Sequence, residues 1–308
     1  MEKVMVLLSS YNGEQFIGEQ IDSIFAQEGV DVFLFVRDDG SKDKTVSVIR
    51  EYKKKYDNIE IEEGNNLGFV KSFMSLVYKC ADNFPDFNYF AFSDQDDVWL
   101  KDKLITAVNL LKTCKDYSTP NLCFGNALAV DTNLNPLFEC CSKNPTITKP
   151  TCLLRYFMLG CTMVFNRTTV QVLNKYRPKG NISMHDLWLN QTCLFLGEIV
   201  YDSTPHILYR QHGNNTAGVG NDLKKRWKRL MKSLKTYGRR HFRELNAKNL
   251  LSAYEPMLSK EDKELISIVA DYKKNFKNRI RILRNKEINM GSRLSDFAIK
   301  VRIILGLL

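Results

Sequence analysis

The stretch Phe90-Ala91-Phe92-Ser93-Asp94-Gln95-Asp96-Asp97-Val98-Trp99 decides how this chain is read. The apolar run from Tyr89 to Phe92 predicts a buried strand, and it stops abruptly at three carboxylates within four residues. In an open α/β sheet, ligands bind at the carboxyl ends of the strands, so this is where negative charge is useful. Hard divalent cations take oxygen ligands of this kind and can bridge to phosphate. A solvated turn with Asp97 capping the next helix has the same local sequence, so the neighbouring stretches must decide between the two.

Upstream, Val4 to Ser9 predicts a strand that enters the turn Ser10-Tyr11-Asn12-Gly13. A helix follows, with Phe16, Ile17, Ile21, Ile24 and Phe25 at helical spacing. Val32 to Val36 predicts a second strand, ending in Arg37-Asp38-Asp39-Gly40-Ser41 with Asp43 following, and Thr45 to Tyr56 a helix. Ile59 to Ile61 predicts a third strand, closed by Gly64-Asn65-Asn66-Leu67-Gly68, and Phe69 to Cys80 a helix. This alternation predicts parallel βαβ units. All four polar loops then fall on one edge of the sheet, and four such loops together make a cleft.

Downstream of a helix from about Lys101 to Lys112 the pattern is less regular. Leu122 to Val130, Gly160 to Asn166, Glu198 to Tyr201 and Ile207 to Arg210 predict strands. Asp131 to Pro150 reads as loop. Thr151 to Leu159, Thr168 to Tyr176 and the stretch from about Asn181 to Leu196 predict helices. Gln211-His212-Gly213-Asn214-Asn215 reads as a loop.

The 308 residues carry a net charge of +10, unevenly spread. From Asn221 to Leu308 there are 23 Lys and Arg against 9 Asp and Glu, which leaves a mildly acidic body before it. Trp227, Leu230, Met231, Leu234 and Tyr237 share one face of a predicted basic helix, which suits an anionic membrane surface or packing on the body. Phe297 to Leu308 suits a membrane or a dimer interface. No run of eighteen apolar residues is present to span a bilayer. None of the eight cysteines forms a C-x-x-C pair, so zinc is not expected. The apolar N-terminal run flows straight into the first motif, with no signal-peptide pattern. Free thiols in a reducing cytosol are the expectation.

Taken in order, Ser10-Tyr11-Asn12-Gly13, Arg37-Asp38-Asp39-Gly40-Ser41, Asn66-Leu67-Gly68 and Asp94-Gln95-Asp96-Asp97 resemble family 2 glycosyltransferases of the GT-A fold. Met184-His185-Asp186-Leu187-Trp188 and Tyr209-Arg210-Gln211-His212-Gly213-Asn214-Asn215 look most like bacterial rhamnosyltransferase-type members. The resemblance covers residues 3 to 218. It implies an α/β GT-A domain over residues 1–220, with a Rossmann-like, mostly parallel sheet flanked by helices, and a basic helical extension over 221–308.

The same resemblance implies the site. Ser10, Tyr11 and Asn12 pack beside the nucleoside; Asp39 accepts from the base, with Asp38 beside it; Asn66 and Gly68 let the backbone approach. Asp94 and Gln95 lie near the ribose. Asp96 holds Mn²⁺ or Mg²⁺, with Asp97 on or just behind the ion and His212 closing over it. Asp186 is the general base, and Thr162, Met163, His185 and Trp188 face the acceptor, Trp188 also reading as core. The implied reaction is inverting transfer from a dTDP- or UDP-sugar, dTDP-L-rhamnose preferred, to a glycan or lipid-linked acceptor. The implied place is the cytoplasmic face of the membrane. A nucleotidyltransferase is disfavoured because Ser9 to Gly13 lacks a Gly-rich loop with a Lys or Arg. A nucleic-acid-binding protein is disfavoured because it leaves the acidic turns without a purpose.

Overall fold

The computed structural model describes residues 1–212 and 242–308. The basic helix expected around Trp227, and the loop after His212, lie outside the described residues. The chain divides into two compact units. The described part of the first is Met1–Lys143, Met158–Lys175 and 197–212; that of the second is Asn144–Phe157, Tyr176–Leu196 and 242–308. The second unit thus includes two segments from before residue 220.

The first unit opens with β1 (Glu2–Ser10), α1 (Ile17–Phe25), β2 (Val30–Asp38), α2 (Thr45–Lys55), β3 (Ile59–Glu63), α3 (Phe69–Asn83) and β4 (Tyr89–Ser93). It continues through β5 (Val98–Trp99), α4 (Lys103–Leu111), β6 (Asn121–Val130) and β7 (Pro136–Glu139). The second unit then contributes α5 (Lys149–Leu154). The first resumes with β8 (Val164–Asn166) and α6 (Arg167–Lys175), and after α7 (His185–Leu196) of the second it ends on β9 (Glu198–Arg210).

Among the described residues the strands form one sheet in the order β3-β2-β1-β4-β8-β6-β9-β5, with β7 paired to β6. β3, β2, β1 and β4 run parallel, so their carboxyl ends share one edge. β1 and β4 are buried almost throughout, as expected of parallel strands covered on both faces, whereas edge strand β3 is half exposed. Val6, Leu8, Val36 and Ala91 from the strands meet Ile17, Ile21 and Ile24 of α1 in the core. The beginning of α1 is held by Gly13, whose carbonyl accepts from the Phe16 and Ile17 amides at 3.1 Å.

Past β4 the sheet becomes mixed: β8 is antiparallel to β4 and β6, while β9 runs parallel to β6 and antiparallel to β5. Several expectations change here. The stretch 131–150, read as loop, contains β7. The strand expected from Gly160 is a 3-10 turn over Gly160–Thr162 followed by the three residues of β8. The two strands expected at Glu198 and Ile207 are one, with register shifts against β6 near Asn126 that absorb the intervening residues.

The second unit contains α5, α7, α8 (Phe242–Tyr254), α9 (Lys260–Ala270), α10 (Phe276–Arg284) and α11 (Arg293–Leu305). α9 begins at Ser259 and α11 at Ser292, whose hydroxyls accept from the amides of Asp262 and Ser295. The core of this unit holds Trp188, whose indole stacks on the Tyr254 ring with centroids 5.4 Å apart, together with Leu250, Ile266 and Val269. Among the described residues no helix is long and apolar enough to cross a membrane.

Candidate active site

In the first unit the polar loops at the sheet edge are tied to one another in the order of their strands. The β3 loop is tied to β2 by Asp39, which accepts from the Leu67 and Gly68 amides at 2.8 Å and from the Arg37 guanidinium. Arg37 also donates to the Asn65 carbonyl at 3.0 Å. The β2 loop is tied to β1 by Asp38, which accepts from the Ser10 hydroxyl at 2.9 Å and from the Gly40 and Ser41 amides. Asn12 completes that seam: its amide donates to the Ser41 hydroxyl and its side-chain oxygen accepts from the Lys42 amide, both at 2.9 Å. Its φ of 48° is left-handed, a conformation that Asn tolerates better than most side chains. The β1 loop is tied to β4 by Gln95, which accepts from the Tyr11 amide at 2.8 Å and donates to the Tyr11 carbonyl at 3.1 Å.

This arrangement changes what several residues can do. Asp38 and Asp39 are buried, and their oxygens are engaged in holding the loops. Asp39, expected to accept from a base, accepts here from the Leu67 and Gly68 amides and the Arg37 guanidinium. Tyr11, Asn12 and Asn66 are exposed at that edge. Gly68, with φ of 80°, has open space where a side chain would stand, so the backbone itself is the surface there.

The acidic turn divides into an outer and an inner part. Asp94, Gln95 and Asp96 are half-buried, whereas Asp97 is fully buried. Asp96 meets His212: Oδ2 lies 2.7 Å from Nε2, and the imidazole stacks on Phe16 with centroids 5.3 Å apart. Asp97 Oδ1 accepts from the Arg210 amide at 3.2 Å. Burial pushes the Asp97 carboxyl well above the usual carboxylate range, and the charges of Asp94 and Asp96 push it further. The Cys161 thiol beside it is pushed up for the same reason, burial. Buried Lys103 stands 3.6 Å over the Trp99 ring, and desolvation lowers its ammonium to about 7.

Two donor sets follow from this geometry. Asp94, Asp97 and Cys161 bring their ligand atoms within 4.8 Å of one another. A metal there would have to displace protons that burial holds on Asp97 and Cys161. Asp96 with His212 offers a carboxylate and an imidazole at a half-buried edge, a donor pair that a divalent cation such as Mn²⁺ could take.

From sequence Arg210 reads as a phosphate partner or a surface residue, and Phe16 only as an apolar helix position; neither reading anticipates their contacts here. Arg210 is buried and donates from Nε to the Asp96 carbonyl at 3.0 Å, from Nη1 to the Thr132 carbonyl at 2.6 Å, and from Nη2 to Glu19. Its guanidinium lies 4.6 Å over Phe16. The register explains the contact: β5 pairs antiparallel with β9, Val98 opposite Leu208, so the residues after Leu208 run back along the acidic turn. His206 lies between Asp102 and Asp202 at 2.8 and 3.1 Å.

In the second unit, Asp186 occupies the first turn of α7 and is buried. Its Oδ1 accepts from the Leu187 amide at 2.8 Å, and Oδ2 accepts from the hydroxyl of exposed Tyr156. His185 beside it is buried, and desolvation holds its imidazole below the usual value, toward the neutral form. Of the two readings of Trp188 the structure has the core one, in the second unit; Met163 of the first, expected on the acceptor side, is fully buried. Thr162 is also buried, its hydroxyl donating to the Leu159 carbonyl at 2.7 Å in the 3-10 turn.

Comparison with known proteins adds to this picture. The family described as glycosyl transferase family 2 matches residues 5–172. The chain is 32% identical over 238 residues to the dTDP-rhamnosyl transferase RfbG of Shigella flexneri, covering 72% of this chain and 78% of that one. It is 25% identical over 191 residues to the UDP-Glc:alpha-D-GlcNAc-diphosphoundecaprenol beta-1,3-glucosyltransferase WfaP of Escherichia coli, covering 62% of this chain and 70% of that one. The structure of S. aureus TarS 1-349 in complex with UDP-GlcNAc superposes with a TM-score of 0.60 at 16% identity, covering 100% of this chain and 82% of that one. That likeness is one of GT-A fold.

Proposed function

The chain belongs to glycosyl transferase family 2 and is a glycosyltransferase acting on nucleotide sugars; from that premise we propose that it transfers L-rhamnose from dTDP-L-rhamnose to a lipid-linked oligosaccharide, in assembly of a cell-surface polysaccharide. The observation that carries the reading is the row of interlocked loops from β3 to β4, ending at the Asp96–His212 pair. The rhamnosyl donor is supported by the likeness to RfbG.

Asp96 and His212 would hold the divalent ion, which when bound supplies positive charge to the diphosphate leaving group. Tyr11, Asn12, Asn66 and the Gly68 backbone receive the nucleoside, and Asp38 and Asp39 keep those loops in place. The Asp186 carboxylate takes the proton of the acceptor hydroxyl as that oxygen attacks the anomeric carbon. The bond from that carbon to the diphosphate breaks with its electron pair, releasing dTDP and inverting the centre. Tyr156 donates to Asp186 the same kind of hydrogen bond that an acceptor hydroxyl would donate, which supports Asp186 as a proton acceptor. A lipid-linked acceptor and the cationic chain after residue 220 support a location at the inner face of the membrane.

A panel of dTDP-rhamnose, UDP-glucose, UDP-galactose and their N-acetyl forms, scored for Mn²⁺-dependent thermal stabilisation and hydrolysis, tests the donor. Stabilisation by a UDP-hexose and not by dTDP-rhamnose would overturn it. Asp186→Asn is expected to keep donor affinity and lose transfer; near-native turnover would place the base elsewhere.

A further inference from the structure

α11 presents large apolar side chains outward. Ala298, Ile299 and Ile303 are buried, yet Phe297, Ile304 and Leu305 are 65%, 59% and 61% exposed. At about 100° per residue, Phe297 and Ile304 lie within about 20° of each other on the helix. Exposed Arg293 and Lys300 fall along one side of that line, and Val301 and Leu305 along the other. A surface helix ordinarily turns its polar face to water, so an outward apolar stripe edged by cations needs a partner.

α10 continues the surface. Its Arg279 donates to the Ile304 carbonyl of α11 at 3.2 Å and to the Tyr272 carbonyl at 3.2 Å, joining the start of α10 to the end of α11. Phe276, one turn before Arg279, is 69% exposed and stands among exposed Lys273, Lys274 and Lys277. From Lys273 to Lys286 the chain has seven Lys and Arg and no Asp or Glu.

We infer that the α10–α11 face is a membrane-docking surface, with Phe276, Phe297, Ile304 and Leu305 entering one leaflet of a bilayer that carries anionic lipid. Charge selects this occupant. In a two-fold dimer each patch would meet its own copy, setting cation against cation. A bilayer with acidic headgroups satisfies the cations and the apolar stripe together. The inference extends the proposed lipid-linked acceptor by naming how the enzyme stays beside it.

The test is flotation of the full-length chain with phosphatidylcholine vesicles, with and without phosphatidylglycerol, in the absence of substrate. Binding is expected only with phosphatidylglycerol and is expected to weaken with salt. Phe276→Ser with Phe297→Ser is expected to lower vesicle affinity at least about tenfold. Lys273→Glu with Lys277→Glu is expected to remove the preference for phosphatidylglycerol. All four positions are exposed, so thermal unfolding and nucleotide-sugar hydrolysis are expected to stay at the native level. Undiminished vesicle binding by both double variants would overturn the inference, as would capture by oligonucleotides but not vesicles, or a dimer that Phe297→Ser dissociates without any vesicle binding. Because vesicle binding needs no donor, a failed donor panel would sink the functional reading and leave this one standing.

Discussion

Replacing Arg210 with Ala removes the group that holds the acidic turn from behind. Its guanidinium serves two backbone carbonyls, of Thr132 at 2.6 Å and Asp96 at 3.0 Å, and lies 4.6 Å over Phe16. A hydrogen bond from a charged donor contributes about 1.5–3 kcal/mol, and the ring contact about 0.5–1 kcal/mol. The Glu19 pairing adds little, since that carboxylate is half exposed. Taking the lower end for each carbonyl gives a loss of about 3–4 kcal/mol for Arg210→Ala. Arg210→Lys keeps the charge but cannot reach both carbonyls, so about half that loss is expected. Urea unfolding by linear extrapolation measures the stability. Calorimetric titration of the donor with and without Mn²⁺ measures the site: with Asp96 and the Phe16–His212 stack no longer fixed, the metal-dependent part of the affinity is expected to fall more than the metal-independent part. A loss below about 1 kcal/mol together with unchanged metal dependence would refute the view that Arg210 positions the turn.

Two further predictions separate neighbours that look alike in sequence. Asp97→Asn is expected to keep metal-dependent donor binding, because a buried carboxyl already held toward its protonated form loses little on becoming an amide; Asp96→Asn is expected to abolish it. Equal loss in both, by the same titration, would put Asp97 on the ion. Lys103→Met is expected to stabilise the protein by a few kcal/mol below neutral pH. With its folded value near 7 against 10.5 ordinarily, the unfolded chain binds more protons between those two pH values, so native stability rises with pH across that window. The full burial penalty therefore acts below about pH 7, and the gain in Lys103→Met should shrink toward about pH 10. A gain independent of pH in urea titrations would mean that burial does not lower the Lys103 ammonium below its ordinary range.

Some features were legible from residues alone. The parallel half of the sheet was, because its strands are short apolar or alternating runs closed by Gly, Asn or Asp, and parallel pairing fixes all those ends to one edge. That much needed only residue types and spacing; Asp96 and His212 were singled out by the resemblance of their motifs to family 2 glycosyltransferases, since a loop carboxylate or imidazole alone reads equally well as surface. Only the tertiary structure decided which of two adjacent carboxylates, Asp96 or Asp97, faces outward. Only the structure showed that Asp38 and Asp39 tie the neighbouring loops together. It also placed Trp188 on Tyr254 in a core and brought Arg210 behind the turn. The reason is range. Apolar periodicity and turn residues act within a few positions, whereas the Arg210 contacts depend on the pairing of two-residue strand β5 with residues more than a hundred positions away. No local pattern encodes a partner that distant; the closing of the sheet does.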